Sequence, residues 1–262
     1  MHTIRILLVL ASLALSAVAV IGSRPTRAAQ DTPPAPAWQA VIALADEAAL
    51  TSRYDPALGW LEDRGPLRGP LTDPAGAAAL HTLTQAWAAR GDRRLDKGDT
   101  DAGLRDLSAV LQHGAAVERH AHTLDARTLG ASIQGMALEL LSVTDLDALT
   151  GAQRAQLLMV LGESAVIPRR DETLARQCSH DAHQLRAKHS TLPRLAAWTT
   201  DLDGVLAELD AACRTEQWPQ EAHALLTAQL GERDRVVREL DQQVRANDDH
   251  RADLRTRLES RS

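Results

Sequence analysis

The sequence predicts an all-α protein, an irregular helical bundle or α-α superhelix of about seven to nine helices after an N-terminal hydrophobic segment. Three observations predict it. Of 262 residues, 44% are hydrophobic but only 2% aromatic, with five Trp, one Tyr and no Phe. Half-buried sheet surfaces draw on aromatic and β-branched residues, whereas Ala and Leu favour helices. No Pro occurs from Ala75 to Ile167, so over ninety residues lack the strongest helix breaker. Within that stretch apolar residues recur at spacings of three and four. The charge balance, 29 basic against 35 acidic residues for a net −6, argues against nucleic acid as a partner. Single-strand binders need a positive groove with aromatic stacking platforms, and this chain supplies neither.

Residues 1–24 read as a signal peptide or membrane anchor. Arg5 precedes eighteen uncharged residues, Ile6 to Ser23, a length between the ~7–15 of a signal peptide's apolar region and the ~17–25 of a spanning helix. Either way the body is expected outside the cytoplasm, in the periplasm or cell envelope, touching the membrane through this segment if it is not cleaved. Residues 25–36 hold Pro25, Pro33, Pro34 and Pro36 and read as an extended linker. A helical domain over 37–247 and a charged helix end or tail over 248–262 complete the chain.

The first helix is expected from about Ala37 to Thr51, with Trp38, Val41, Ile42 and Ala45 on one face. From Arg53 to Pro74 the residues Pro56, Gly59, Gly65, Pro66, Gly69 and Pro70 predict an ordered loop that packs down through Leu58, Trp60, Leu61, Leu67 and Leu71. Asp73-Pro74 is a helix start. That helix carries Leu80, Leu83 and Trp87 inward until Gly98 stops it, and Asp99 caps a second helix with Leu104, Leu107, Val110, Leu111 and Gly114 in register. A further helix holds Leu129, Ile133, Met136, Leu140 and Leu141, with small Ala131 and Gly135 four apart. Thr150 to Gln153 resembles a capping box before Leu157, Leu158 and Leu161. Pro168, Pro193 and Pro219 divide the remainder into helices near 170–189, 193–214 and 219–247. Beyond Gly231, eight basic and eight acidic residues surround a seam of Val237, Leu240, Val244, Asn247, Arg251, Leu254 and Leu258. It serves either as a coiled-coil handle or as the inner face of a last helix packed on its own domain.

Residues 85–111 resemble one tetratricopeptide unit. Trp87 matches that family's early large residue, Gly91 its first-helix small residue, Gly98-Asp99 its turn, and Leu104 and Leu107 its second-helix core. Arg90 and Arg94 depart from the pattern at places usually apolar, Gly103 replaces Ala, and no Pro closes the unit. No second copy follows at a 34-residue period. The resemblance implies protein–protein contact through a helical face and nothing catalytic, which makes Trp87, Arg90 and Arg94 the interaction candidates and other proteins the expected partners.

Cys178 and Cys213 are the only thiols, and in an exported chain they form the disulfide candidate. In a simple antiparallel hairpin of the two helices that carry them they would be offset by ~15 Å along the axis, so a bond at the ~4.4–6.8 Å Cα separation of a disulfide requires a break or bend. Buried thiols are the alternative. His180 and His183 with a Cys offer a rival reading, a metal-binding protein or metal-dependent enzyme, although the spacing favours no tetrahedral set. His120 and His122, two apart, point to different sides of a helix. No Gly-x-Ser-x-Gly, Gly-x-Gly-x-x-Gly, Walker or His-Glu-x-x-His sequence is present. The sequence therefore assigns no catalytic residue, metal ligand or cofactor.

Overall fold

The computed structural model describes residues 36–66, 71, 74–121, 123–165, 176, 177, 180 and 220–260, with side chains from Trp38 and, in the last helix, from Val236. Among them are seven α-helices and one 3-10 turn and no strand. The helices are α1 (Pro36–Thr51), α2 (Asp55–Arg64), α3 (Pro74–Asp96), α4 (Thr100–Arg119), α5 (Leu124–Ser142), α6 (Gly151–Glu163) and α7 (Gln220–Glu259). The all-α expectation is met. The apolar segment 6–23, the expected helix near 193–214, Trp198 and Trp218 lie outside the described residues, and of the expected helix near 170–189 only residues 176, 177 and 180, each helical, lie within them. No described helix is long and apolar enough to cross a membrane.

One expectation is corrected. The stretch after Arg53 is not a loop throughout, because α2 occupies Asp55–Arg64 and buries Ala57, Leu58 and Leu61. Its breakers mark ends rather than an interior. Pro56 sits in the first turn, where its missing N–H would have had no helical partner, and Gly65 closes the helix at φ 68°. Only Gly59 stands inside, where a helix tolerates it at a modest cost.

Local signals set the other boundaries. Gly98 turns the chain at φ 81° between α3 and α4. Asp99 occupies the N-cap position of α4, but its side chain makes no capping bond. Thr123 caps α5 by accepting from the Ala126 N–H at 3.1 Å. The capping box is complete: Thr150 Oγ1 accepts from the Gln153 N–H at 3.3 Å, and Gln153 Oε1 accepts from the Thr150 N–H at 2.8 Å.

Packing follows chain order at first and then departs from it. α1 packs on α3, α3 on α4 and α5, and α4 on α5, which is the most extensive of these interfaces, while α2 touches α1 and α3. α6 then packs on α4 and barely touches α5. α7 contacts both α5 and α6, so it fills the fourth corner of a square whose other corners are α4, α5 and α6. It runs unbroken past residue 248, where the sequence places a boundary, to Glu259. All seven seam residues from Val237 to Leu258 are buried, so the seam faces this domain.

Small residues let these helices approach. A Cβ on Gly130 would stand 2.7 Å from the Glu118 amide nitrogen and 2.8 Å from the Gly114 carbonyl oxygen, both backbone atoms of α4. Nothing there is a flexible side-chain end that could move aside. Gly130→Ala should therefore destabilise the chain by about 1–3 kcal/mol. Gly59→Ala, whose Cβ would meet nothing within 4 Å, should stabilise it by about 0.5–1 kcal/mol. Denaturant midpoints of the two variants measure both.

Candidate functional site

Asp106 belongs to the buried stripe of α4, four residues after Ala102 and three after Gly103, and is only 2% exposed. An acid so placed needs donors, and α3 supplies four. Trp87 Nε1–H donates to Oδ1 at 3.0 Å, Arg90 Nη2 to Oδ1 at 2.7 Å, Arg90 Nε to Oδ2 at 3.0 Å and Arg94 Nη1 to Oδ2 at 2.8 Å. Arg90 also reaches back to α2, donating to Glu62 and, at 3.4 Å, to Asp55. Burial works against the Arg90 charge, but the bonds and charges of Asp106 and Glu62 outweigh it and raise the guanidinium pKa. One carboxylate thus fastens α4 to α3, and through Arg90 to α2.

The three interaction candidates of the sequence are brought together here. Trp87 is wholly buried, the Arg90 side chain is 13% exposed, and Arg94 is half-buried. Beside them a shallow cleft of about 190 Å³ opens between α2 and α3, with Tyr54, Asp55 and Leu58 on one wall and Ala89, Arg90 and Arg93 on the other. Trp60 is the most exposed of the three described Trp residues and carries the Arg64 guanidinium 4.9 Å above its ring.

His113 packs behind Trp87, with ring centroids 5.1 Å apart and planes at 57°. Its Nδ1 lies 2.9 Å from the Ala109 carbonyl, which can only accept, so Nδ1 carries the proton. Burial holds this histidine below the usual range, against the pull of the Ala109 and Gly65 backbone carbonyls.

A second polar cluster lies where α4, α5 and α7 meet. Glu118 of α4 is 1% exposed. Gln134 Nε2 donates to its Oε2 at 2.6 Å, and Arg127 Nε approaches Oε1 at 3.4 Å. Arg251 of α7 donates through Nη2 to Gln134 Oε1 and through Nη1 to Asp248 at 2.7 Å. Asn247 Nδ2 donates to the Ala131 carbonyl at 2.9 Å. Burial pushes the Glu118 carboxyl up, and Arg127, Arg251 and Gln134 pull it partway back.

Cys178, His183, Cys213 and His122 lie outside the described residues. His180 is half-buried, and His120 is the C-cap residue of α4. Among the described residues no three His, Cys, Asp or Glu side chains converge to hold a metal. Just before Cys178, Arg176 Nη1 donates to the Arg119 carbonyl at 3.2 Å, and Gln177 Oε1 accepts from the Leu124 N–H at 2.7 Å. These two side chains serve both ends of the α4–α5 turn. The chain finds no match among protein-family models, curated proteins or solved structures.

Two outcomes follow from this geometry. Asp106→Ala leaves Arg90 with its α2 partners Glu62 and Asp55 but takes away its buried acceptor and that of the Trp87 N–H, and should cost about 2–3 kcal/mol. Arg94→Ala, more exposed and leaving three donors in place, should cost about 1 kcal/mol or less. Urea titration of both variants compares the two. For His113 the folded pKa lies below the unfolded one, so its contribution to stability is present above the usual histidine pKa and is lost as pH falls. Linkage limits the slope to about 1.4 kcal/mol per pH unit for one proton. Between pH 7.5 and 5.5, His113→Gln should lose less stability than the parent; an equal loss would refute the assignment. His81, also lowered by burial, keeps a residual slope in both.

Proposed function

We propose that this chain is a non-catalytic interaction or scaffolding protein of the cell envelope, carried out of the cytoplasm by the segment 6–23 and then anchored or released. The observation that carries the reading is the use to which the two buried acids among the described residues are put. Asp106 and Glu118 both face other helices and take donors from them. A catalytic or ligand-binding carboxylate is instead turned toward a substrate-sized cavity. Chemistry that could have served a reaction is committed to holding helices together. The resemblance of residues 85–111 to a tetratricopeptide hairpin supports the same reading, since α3 and α4 form a packed pair there and the resemblance implies contact with other proteins. Cys178 and Cys213 remain the proposed disulfide of the exported form.

Proximity crosslinking of the full chain in its native cell, followed by fractionation, tests the reading. The expected result is the chain in the membrane or periplasmic fraction with other envelope proteins attached. Recovery from the cytoplasm with no crosslinked protein would sink it. Stoichiometric zinc, iron or copper on the purified protein would favour a metal site at His180 and His183 instead.

A further inference from the structure

His113 sits under the end of α2. It is 3% exposed and is fixed by its Nδ1 bond to the Ala109 carbonyl and its packing on Trp87. Its other nitrogen, Nε2, is buried with no hydrogen-bond partner among the described atoms. With the proton on Nδ1, Nε2 is an acceptor, and the group beside it is a second acceptor. Gly65 spends its N–H on the Leu61 and Glu62 carbonyls and turns its own carbonyl toward the imidazole. The residue that closes α2 thus covers a nitrogen that it does not satisfy. A buried acceptor without a donor costs free energy that contact with water recovers.

Of the described helices α2 is the one that gives way most readily. It is ten residues long and the most lightly packed, held from beneath by Ala57, Leu58 and Leu61. Its ion pairs to Arg90 run through Asp55 and Glu62, whose side chains are exposed. Light packing and solvated polar contacts mark the segments of lowest opening free energy. Lifting α2 admits water to Nε2, and with water a proton. In the closed form that proton would gain the Gly65 carbonyl, but lost hydration outweighs both carbonyls and keeps the charge out. The charged groups nearby do not reverse this. Asp106, Arg90 and Arg94 meet the indole N–H or one another, and Glu62, Asp63 and Arg64 of α2 stand in solvent. Among the described residues no charged side chain of α3, α5 or α6 acts on the imidazole, which answers to burial and the two carbonyls alone. The open form therefore takes the proton that the closed form refuses.

We infer that α2 is an acid-responsive cover, released when His113 takes up a proton, and that its release bares the α3 wall of Ala86, Ala89 and Arg90. The inference concerns the fold alone and stands whatever partners the chain has. Hydrogen exchange of the full chain at pH 7.5 and 5.5, corrected for the intrinsic pH dependence of amide exchange, tests it. An open form with the ordinary histidine value of 6.5 and a closed form that takes no proton give a rise of up to about tenfold in the opening equilibrium of residues 55–65. Residues 124–142 of α5 should show no comparable rise. His113→Gln should hold residues 55–65 at one level of protection at both pH values. His81→Gln, which removes a second histidine whose proton affinity burial lowers, should leave the rise in place. Unchanged protection of 55–65 in the parent, a rise that persists in His113→Gln, or one that disappears in His81→Gln would overturn the inference. So would a parallel rise in α5, which marks unfolding of the whole domain rather than release of α2. If His113→Gln does not fold, His113→Phe keeps a ring against Trp87 and decides in its place.

Discussion

The approach of α4 to α5 at Gly114 and Gly130 is the constraint on which the remaining helices depend. With no side chain between them at that point, the two backbones come close enough for the flanking Leu, Ile and Ala residues to interdigitate. α3 lies across both helices, α6 takes its position from α4, and α7 takes its position from α5 and α6. A chain with no Phe and one Tyr has few large side chains to bridge wide gaps. Close backbones are the alternative way to native packing density.

Two buried acids lie on this frame, and their surroundings differ. Asp106 has four donors on its two oxygens, two of them from one guanidinium in bidentate geometry, so its charge is well met. Glu118 has a short bond from a neutral amide and a longer one from Arg127, and burial still dominates its titration. The first cluster joins neighbouring helices of one hairpin. The second lies at the middle of a four-helix arrangement and includes α7, which arrives from far along the chain. Tight compensation thus lies where the fold is local, and weaker compensation where it is not.

Much of this was legible in the sequence, for reasons that act over a few residues. Gly98, the Thr150–Gln153 box and the Pro-free stretch speak through backbone geometry and end-group hydrogen bonding, which neighbours decide. The seam from Val237 to Leu258 was legible as a seam, but not as to which surface it covers, because periodicity marks a face and carries no address. α2 was missed because Pro and Gly were counted rather than placed: Pro56 and Gly65 bracket a helix as readily as they break one. The partners of Asp106 and Glu118 lie across a turn or on another helix, so no local pattern pairs them. Their positions did carry a signal. Each acid lies three or four residues from a buried Gly, Gly103 and Gly114, on a largely apolar buried face that also holds Ser108 and His113, and an acid on such a face must find a cation or donors.

The span of chain enclosed by each contact adds an order in time. The Trp87–Asp106 bond closes a loop of 19 residues, and the Asn247–Ala131 bond one of 116. Loop-closure entropy grows as the logarithm of length, so the second contact costs about 1.6 kcal/mol more than the first before any packing is gained. During synthesis the hairpin of α3 and α4 has all its residues available while α7 is still to be made. The four-helix square is therefore the late event in folding, its first three corners standing before the fourth arrives.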